Sequence, residues 1–215
     1  PAELVRAFKV ALQEDLLLGR ATQDAIAEAT AGSPGARLKA DEQAAEYWLE
    51  LLCHPERPER SILQEMHNLG VITYDLGDLE AAEATLNQAL TLKQSTGDRR
   101  SQAITHFYLG ETLTEQGDLV GADYHLNIAL NIFREVEDIS WEGDTVAALG
   151  RLALLQGDPS TAERLLTTAH QTRRDLGEPS YAVGDLSYLA LAETGLGKED
   201  EGWQHSQEAV NELAE

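Results

Sequence analysis

Three stretches of the chain, spaced 40 residues apart, decide the fold: LGVITYDLGDLEAAEATLNQA at 69–89, LGETLTEQGDLVGADYHLNIA at 109–129 and LGRLALLQGDPSTAERLLTTA at 149–169. A weaker copy, LALAETGLGKEDEGWQHSQEA, occupies 189–209. A constant period of 20–50 residues is typical of a solenoid, in which each unit buries its apolar face against its neighbours. The sequence therefore predicts an all-α repeat array whose function is carried on its surfaces rather than in a catalytic pocket.

Each period has the pattern of two helices joined by a short turn. In the second copy, Ala103, Phe107 and Leu113 belong to an apolar set that recurs at helical intervals. Gly117 then interrupts this set, and a glycine just past a helix can take the left-handed conformation that closes the last turn. Asp118 is a good N-cap for the helix that follows. The same Gly-Asp pair in two other copies, and Gly197-Lys198 in the last, predict antiparallel helix pairs throughout.

A second set of turns is predicted between the periods, at 97–98, 137–138 and 177–179. Basic residues precede these turns, near the ends of the second helices: Lys93, Arg134, Arg173 and Arg174. Positive charge complements the negative end of a helix. We therefore expect a structural role for these side chains.

Small residues occupy the middle of the first helix of each period: Gly70, Gly110, Gly150 and Ala190. Inside a helix, glycine costs roughly 1 kcal/mol relative to alanine. Its recurrence at one position predicts that two helices approach closely there. The facing positions are expected to be small as well, at Ala82, Ala122, Ala162 and Gly202.

The period also predicts the division of the chain. Four repeats are expected at about 61–98, 99–138, 139–178 and 179–215. Residues 1–60 are expected to form N-terminal helices, as a degenerate repeat and a cap, because the first unit of a solenoid needs its open face covered. Trp48 is the predicted buried anchor of that cap.

Composition narrows the classes of partner. The 215 residues carry a net charge of −22, which disfavours binding to nucleic acid or to an anionic membrane surface and favours a basic partner. No apolar run approaches the roughly 20 residues that a membrane-spanning helix needs. Cys53 is the single cysteine, which fits a reducing compartment, and we expect a cytoplasmic protein.

The sequence gives little sign of chemistry. Its six histidines form no close pair with metal-ligand spacing, and no nucleophile, Walker or dinucleotide motif is present. We therefore expect no metal site, no cofactor and no catalytic residue. A hydrolytic repeat protein is a weaker alternative, which would require turnover that depends on Asp75, Glu111 or Asp144.

The repeats resemble the tetratricopeptide repeat, whose pattern places Leu-Gly in helix A and two alanines around a large residue in helix B. Leu69-Gly70 with Ala82, Leu86 and Ala89 follows this pattern, and so do the copies 40 and 80 residues later. The resemblance implies a right-handed α-solenoid, a superhelix of antiparallel helix pairs. The 40-residue period is similar to that of the Pins/LGN polarity scaffolds and of the tails of bacterial signalling ATPases and transcriptional regulators.

The family resemblance also implies where a ligand would bind, because in this family the A helices line a concave groove. Carried onto this sequence, the positions that flank Leu-Gly are Gln64, His67, Val71, Tyr74, Asp75, Ile104, Phe107, Tyr108, Glu111, Thr114, Asp144, Ala147, Arg151, Leu154, Leu155 and Tyr188. The lysine-asparagine set with which chaperone-binding members hold a C-terminal carboxylate is missing.

The resulting prediction is a non-catalytic protein-interaction module that binds a peptide or partner segment with basic and apolar residues in this groove. The alternative is a ligand-sensing regulatory arm of a larger signalling ATPase or transcriptional regulator. Self-association through the last helix, where Trp203 and Val210 have no following repeat to cover them, also stays open.

Overall fold

The computed structural model describes residues 59–94 and 97–213, and every regular element within these ranges is an α-helix. The helices are α1 (Glu59–Asp75), α2 (Leu79–Gln94), α3 (Arg99–Gln116), α4 (Leu119–Glu135), α5 (Ile139–Leu155), α6 (Pro159–Leu176), α7 (Pro179–Gly195) and α8 (Glu199–Leu213). The predicted N-terminal helices, with Trp48, lie outside the described residues. We call the odd-numbered helices A helices and the even-numbered helices B helices.

The chain divides into two compact units, with the boundary between Gln116 and Gly117. In the first unit, α2 packs against both α1 and α3. In the second unit, each helix from α4 to α7 packs against the next one along the chain. Successive A helices also touch within each unit, α1 against α3 and α5 against α7.

The turns form as the Gly-Asp pairs predict. Gly157 has a φ of +78°, in the left-handed region that a side chain disfavours, and it closes the end of α5. The Asp158 carboxylate then accepts a hydrogen bond from the amide of Thr161 at 3.0 Å and caps α6. The turns at 97–98 and 177–178 also contain a left-handed glycine, whereas Glu137 takes this conformation as a non-glycine residue, with a φ of +55°.

The mid-helix glycines are explained by a leucine rather than by the small residues expected to face them. A Cβ added to Gly150 would lie 2.7 Å from Leu166 Cγ, and one added to Gly70 would lie 2.7 Å from the Leu86 side chain. The atoms nearest to the added Cβ atoms therefore belong to Leu86 and Leu166, at the close approach of two helices that the recurring glycine predicts. The fourth repeat is different, because an added Cβ on Gly202 would meet the carbonyl oxygen of Ala190 at 2.9 Å.

Within each unit, apolar clusters between neighbouring helices form the core. In the second unit, Ala153, Ala162, Leu166, Leu189 and Ala192 form one such cluster from α5, α6 and α7. The sequence predicts Ala162, Leu166 and Leu189 because they belong to the sets that recur with the period, whereas Ala153 and Ala192 do not recur as alanine in the other repeats.

Two of the basic residues at the ends of B helices are buried, which the helix-end argument does not predict. Lys93 on α2 donates hydrogen bonds to Thr105 Oγ1 at 2.9 Å and to the Ser101 carbonyl at 3.3 Å. Arg173 on α6 binds Asp185 at 2.6 Å and Asp144 at 2.8 Å. Each cation therefore ties a B helix to the A helix that follows it.

Candidate functional site

In the first unit, α1 and α3 bring an aromatic cluster together around Tyr108. The Tyr108 ring lies edge-on to the rings of Phe107, Tyr74 and His67, with centroid distances of 5.4, 6.3 and 5.6 Å. Tyr74, Phe107 and Tyr108 are half-buried, so each residue keeps part of its surface accessible. Two neighbouring A helices thus share one aromatic surface, which can receive apolar or cationic side chains.

Buried polar groups linked by hydrogen bonds lie behind this aromatic cluster. His67 Nδ1 lies 3.2 Å from Thr105 Oγ1, which also accepts the hydrogen bond from Lys93. Burial, and to a smaller extent the charge of Lys93, lowers the pKa of His67 to about 3. Burial lowers the pKa of Lys93 to about 8, against the opposing effect of Asp98. At neutral pH, His67 is therefore an uncharged part of the support and offers no charge to a ligand.

A shallow pocket of about 400 Å³ adjoins the aromatic cluster at the turn between α1 and α2. Tyr74 belongs to both, and the side chains of Asp75 and Glu115 are exposed. The lining consists of Tyr74, Asp75, Leu76, Gly77, Leu79 and Glu115. Aromatic, aliphatic and acidic groups are thus combined in one small depression.

In the second unit, α5 and α7 form a different surface. The Arg151 guanidinium carbon lies 5.7 Å from the centroid of the Tyr188 ring, within the range of a cation–π contact. Leu155 on α5 and Leu191 on α7 expose 59% and 60% of their surface, and Leu154 packs partly into the core. This surface is mainly apolar, with one arginine held against an aromatic ring.

The acidic residue predicted in this second surface is bound by the protein itself. Asp144 is half-buried and accepts a hydrogen bond from Arg173, as Asp185 does on the other side of the guanidinium. Burial raises the pKa of Asp185, and Arg173, Arg151 and His170 oppose that rise. Asp144 is therefore part of an interhelical ion cluster, which reduces its capacity to bind a basic ligand.

The predicted groove residues occupy three environments. Val71, Tyr74, Ile104, Phe107, Tyr108, Glu111, Thr114, Asp144, Arg151 and Leu154 are half-buried; Asp75, Leu155 and Tyr188 are exposed; His67 and Ala147 are buried. Gln64 lies on α1, but its side chain is outside the described residues. The buried pair can support a ligand site but not line it.

Sequence reasoning missed the buried cations that support both surfaces. Lys93 and Arg173 are 80 residues apart and so occupy the same position of the repeat, and each contacts a residue 12 positions later. The signal was present in the sequence, because a polar partner follows both, Thr105 in one case and Asp185 in the other. The repeat between them has Phe133 at this position, stacked on Trp141 at 5.5 Å.

The described part of the chain contains neither a metal-binding cluster nor a membrane-spanning helix. Within residues 59–94 and 97–213, no group of three or more His, Cys, Asp or Glu side chains is placed to hold a metal ion. Among the helices of the same ranges, none is long and apolar enough to cross a membrane.

Comparison with family models identifies the repeat. Residues 62–135 match one model described as tetratricopeptide repeat, and residues 145–166 match a second model with the same description. No curated protein matches the chain in sequence.

Solved structures share the fold at low sequence identity. BtubC (BKLC) from P. vanneervenii is 15% identical, with a TM-score of 0.70 over 98% of this chain and 87% of that one. A Rap protein complexed with Competence and Sporulation Factor is 18% identical, with a TM-score of 0.74; the match covers 83% of this chain and 50% of the Rap chain. A Podosopora anserina protein of nearly identical TPR-like repeats is 16% identical, with a TM-score of 0.64 and coverage of 96% and 95%.

These similarities confirm the predicted fold class, an all-α solenoid of antiparallel helix pairs. They do not test the narrower resemblance to Pins/LGN scaffolds or to the tails of signalling ATPases and transcriptional regulators, which stays a prediction. Two segments of the chain, residues 62–135 and 145–166, match tetratricopeptide-repeat models.

Proposed function

We propose that this chain is a non-catalytic interaction module whose A helices hold a peptide or a segment of a partner protein. The observation that carries the proposal is the convergence of accessible side chains from successive A helices. Tyr74 meets Tyr108 across α1 and α3, and Arg151 meets Tyr188 across α5 and α7. Tetratricopeptide repeats are generally protein-interaction modules, and the Rap protein of similar fold was solved with a bound factor.

The chemistry of the two surfaces describes the partner. Apolar side chains would pack on Phe107 and Tyr108 in the first unit and on Leu155 and Leu191 in the second. Basic side chains would meet the carboxylates beside the first surface, consistent with the net charge of −22. Arg151, held against Tyr188, would offer hydrogen-bond donors to a main-chain carbonyl or carboxylate of the partner.

Binding of a displayed peptide library tests the proposal. The affinity of peptides selected on the full chain is then measured for two variants. Leu191→Asp changes an A-helix residue that is 60% exposed, and Val120→Asp changes a B-helix residue that is 82% exposed. We expect Leu191→Asp to weaken binding at least about tenfold, the equivalent of about 1.4 kcal/mol, because loss of an interface hot spot costs about 2 kcal/mol or more. Equal effects of the two variants, or no selected peptide, would contradict the proposal.

A second candidate function is a ligand-sensing regulatory arm of a larger signalling ATPase or transcriptional regulator. The observation that favours it is the similarity to the Rap protein, of which this chain covers half. The two candidates share the binding surface and differ in its consequence. In a regulatory arm, a peptide selected on this chain would change the activity of a linked domain, whereas in a simple interaction module it would not.

A further inference from the structure

The pocket at the turn between α1 and α2 differs from the rest of the proposed binding surface in its chemistry. It combines one aromatic ring, two aliphatic side chains and two carboxylates, from Tyr74, Leu76, Leu79, Asp75 and Glu115. Its volume of about 400 Å³ lies near the lower end of the roughly 300–1,000 Å³ that is usual for ligand pockets. A space of this size suits one long side chain of a larger ligand.

Hydrogen bonds at both sides hold the pocket walls in place. The Asp78 carboxylate accepts a hydrogen bond from the amide of Ala81 at 3.1 Å and so fixes the turn that carries Gly77. On the other side, Gln116 Nε2 donates to the Leu79 carbonyl at 3.2 Å and to Glu83 at 3.1 Å. The end of α3, with Glu115, is thereby tied to the start of α2, and a pocket formed in advance loses less entropy on binding.

The lining selects the charge and shape of its occupant. A guanidinium group can lie against the Tyr74 ring and donate hydrogen bonds to carboxylates, because it is planar and carries five N–H groups. The apolar stem of the same side chain can pack on Leu76 and Leu79. An acidic side chain would be repelled by both carboxylates, and a short apolar one would leave them without a ligand partner.

We propose that this pocket is the subsite that reads an arginine side chain of the bound peptide. The inference rests on the proposed function, since it assigns a residue preference to that same peptide-binding surface. The shared residue Tyr74 makes the subsite continuous with the aromatic cluster around Tyr108. The rest of the peptide would therefore pass along α1 and α3.

The direct test uses N-acetyl-arginine methylamide as the probe and the citrulline analogue, which has nearly the same shape without the charge, as its control. Amide signals of Leu76 and Gly77 in the isotope-labelled full chain report on the pocket by NMR titration. The matched variants are Glu115→Gln, which changes the lining, and Glu80→Gln, which makes the same change on an exposed residue outside the lining.

We expect saturable shifts at Leu76 and Gly77 with the arginine probe and none with the citrulline probe. Glu115→Gln should weaken binding about fivefold, the equivalent of about 1 kcal/mol for an exposed charge pair, and Glu80→Gln should leave it within about twofold. Equal responses to the two probes, equal effects of the two variants, or no saturable shift would overturn the assignment.

The displayed library separates this inference from the proposed function. Enrichment of arginine among peptides selected on the native chain, lost on Glu115→Gln, supports both. Selected peptides without such enrichment would overturn the arginine subsite and leave the interaction module intact. Binding of the arginine probe without any selected peptide would support the pocket and contradict the interaction module.

Discussion

Replacing Arg173 with methionine should destabilise the second unit strongly. The Arg173 guanidinium binds Asp185, which is 1% exposed, and Asp144, which is half-buried. Methionine fills a similar volume but leaves Asp185 as a buried carboxyl group whose Oδ2 already has no hydrogen-bond partner among the described residues. Removing one partner of a buried ion pair typically costs about 3–5 kcal/mol, and we expect a loss of this size in the free energy of unfolding.

The assay is urea denaturation followed by circular dichroism, with two comparisons. Arg174→Met is the matched control, because the neighbouring arginine is half exposed and pairs with Glu208 and Glu212 on the surface; it should cost less than about 1 kcal/mol. The double variant Arg173→Met/Asp185→Asn should recover part of the loss, since the amide carries no charge. Equal destabilisation by Arg173→Met and Arg174→Met, or no recovery in the double variant, would refute the reasoning.

Four further predictions concern the backbone and pH. Glu137→Gly should raise the urea midpoint by the equivalent of about 1 kcal/mol, because position 137 has a φ of +55°; an unchanged or lower midpoint would contradict this. Gly150→Ala should lower the thermal midpoint because the new Cβ would lie 2.7 Å from a leucine side chain. Gly184→Ala, with open space around it, should raise the thermal midpoint, by the equivalent of up to about 1 kcal/mol. Shifts of the two variants in the same direction would contradict the packing explanation. The pKa of His67 is about 3 in the folded protein against 6.5 for the ordinary side chain, so the unfolded chain binds a proton first and stability falls as pH decreases between these values. The free energy of unfolding of His67→Gln should therefore decrease less over this pH range than that of the native chain. Equal decreases in the two proteins would contradict the prediction. The pKa of Lys93, lowered to about 8 from 10.5, acts in the same direction at higher pH: stability rises as pH increases between those two values, and Lys93→Met should abolish that rise.

The turns could be predicted because their causes are local. A glycine that takes a positive φ and an aspartate that caps the next helix need only a few neighbouring residues, as Gly157 and Asp158 show. What faces Gly150 could not be predicted in the same way. Helical spacing places both Ala162 and Leu166 on the inner face of α6, and the way in which the two helices cross decides that the leucine covers the glycine.

The candidate site was predictable in its helices but only partly in its residues. The family resemblance names the A-helix positions, and the structure places Tyr74, Phe107 and Tyr108 in one cluster. The family resemblance cannot show that His67 is buried, because the burial of a side chain depends on residues far away in the sequence. Nor does the number of acidic residues show that Asp144 is bound by Arg173, since these two residues lie 29 positions apart on successive helices.

Photo-crosslinking of a selected peptide to the full chain tests the central claim most directly. The peptide carries a benzoylphenylalanine at each position in turn, and mass spectrometry identifies the crosslinked residues. We predict that the crosslinks fall on the A helices, at residues such as Phe107 on α3, Leu155 on α5 and Leu191 on α7. Crosslinks confined to the B helices, for instance at Val120 and Tyr124 on α4, would contradict the claim that the A helices form the binding surface.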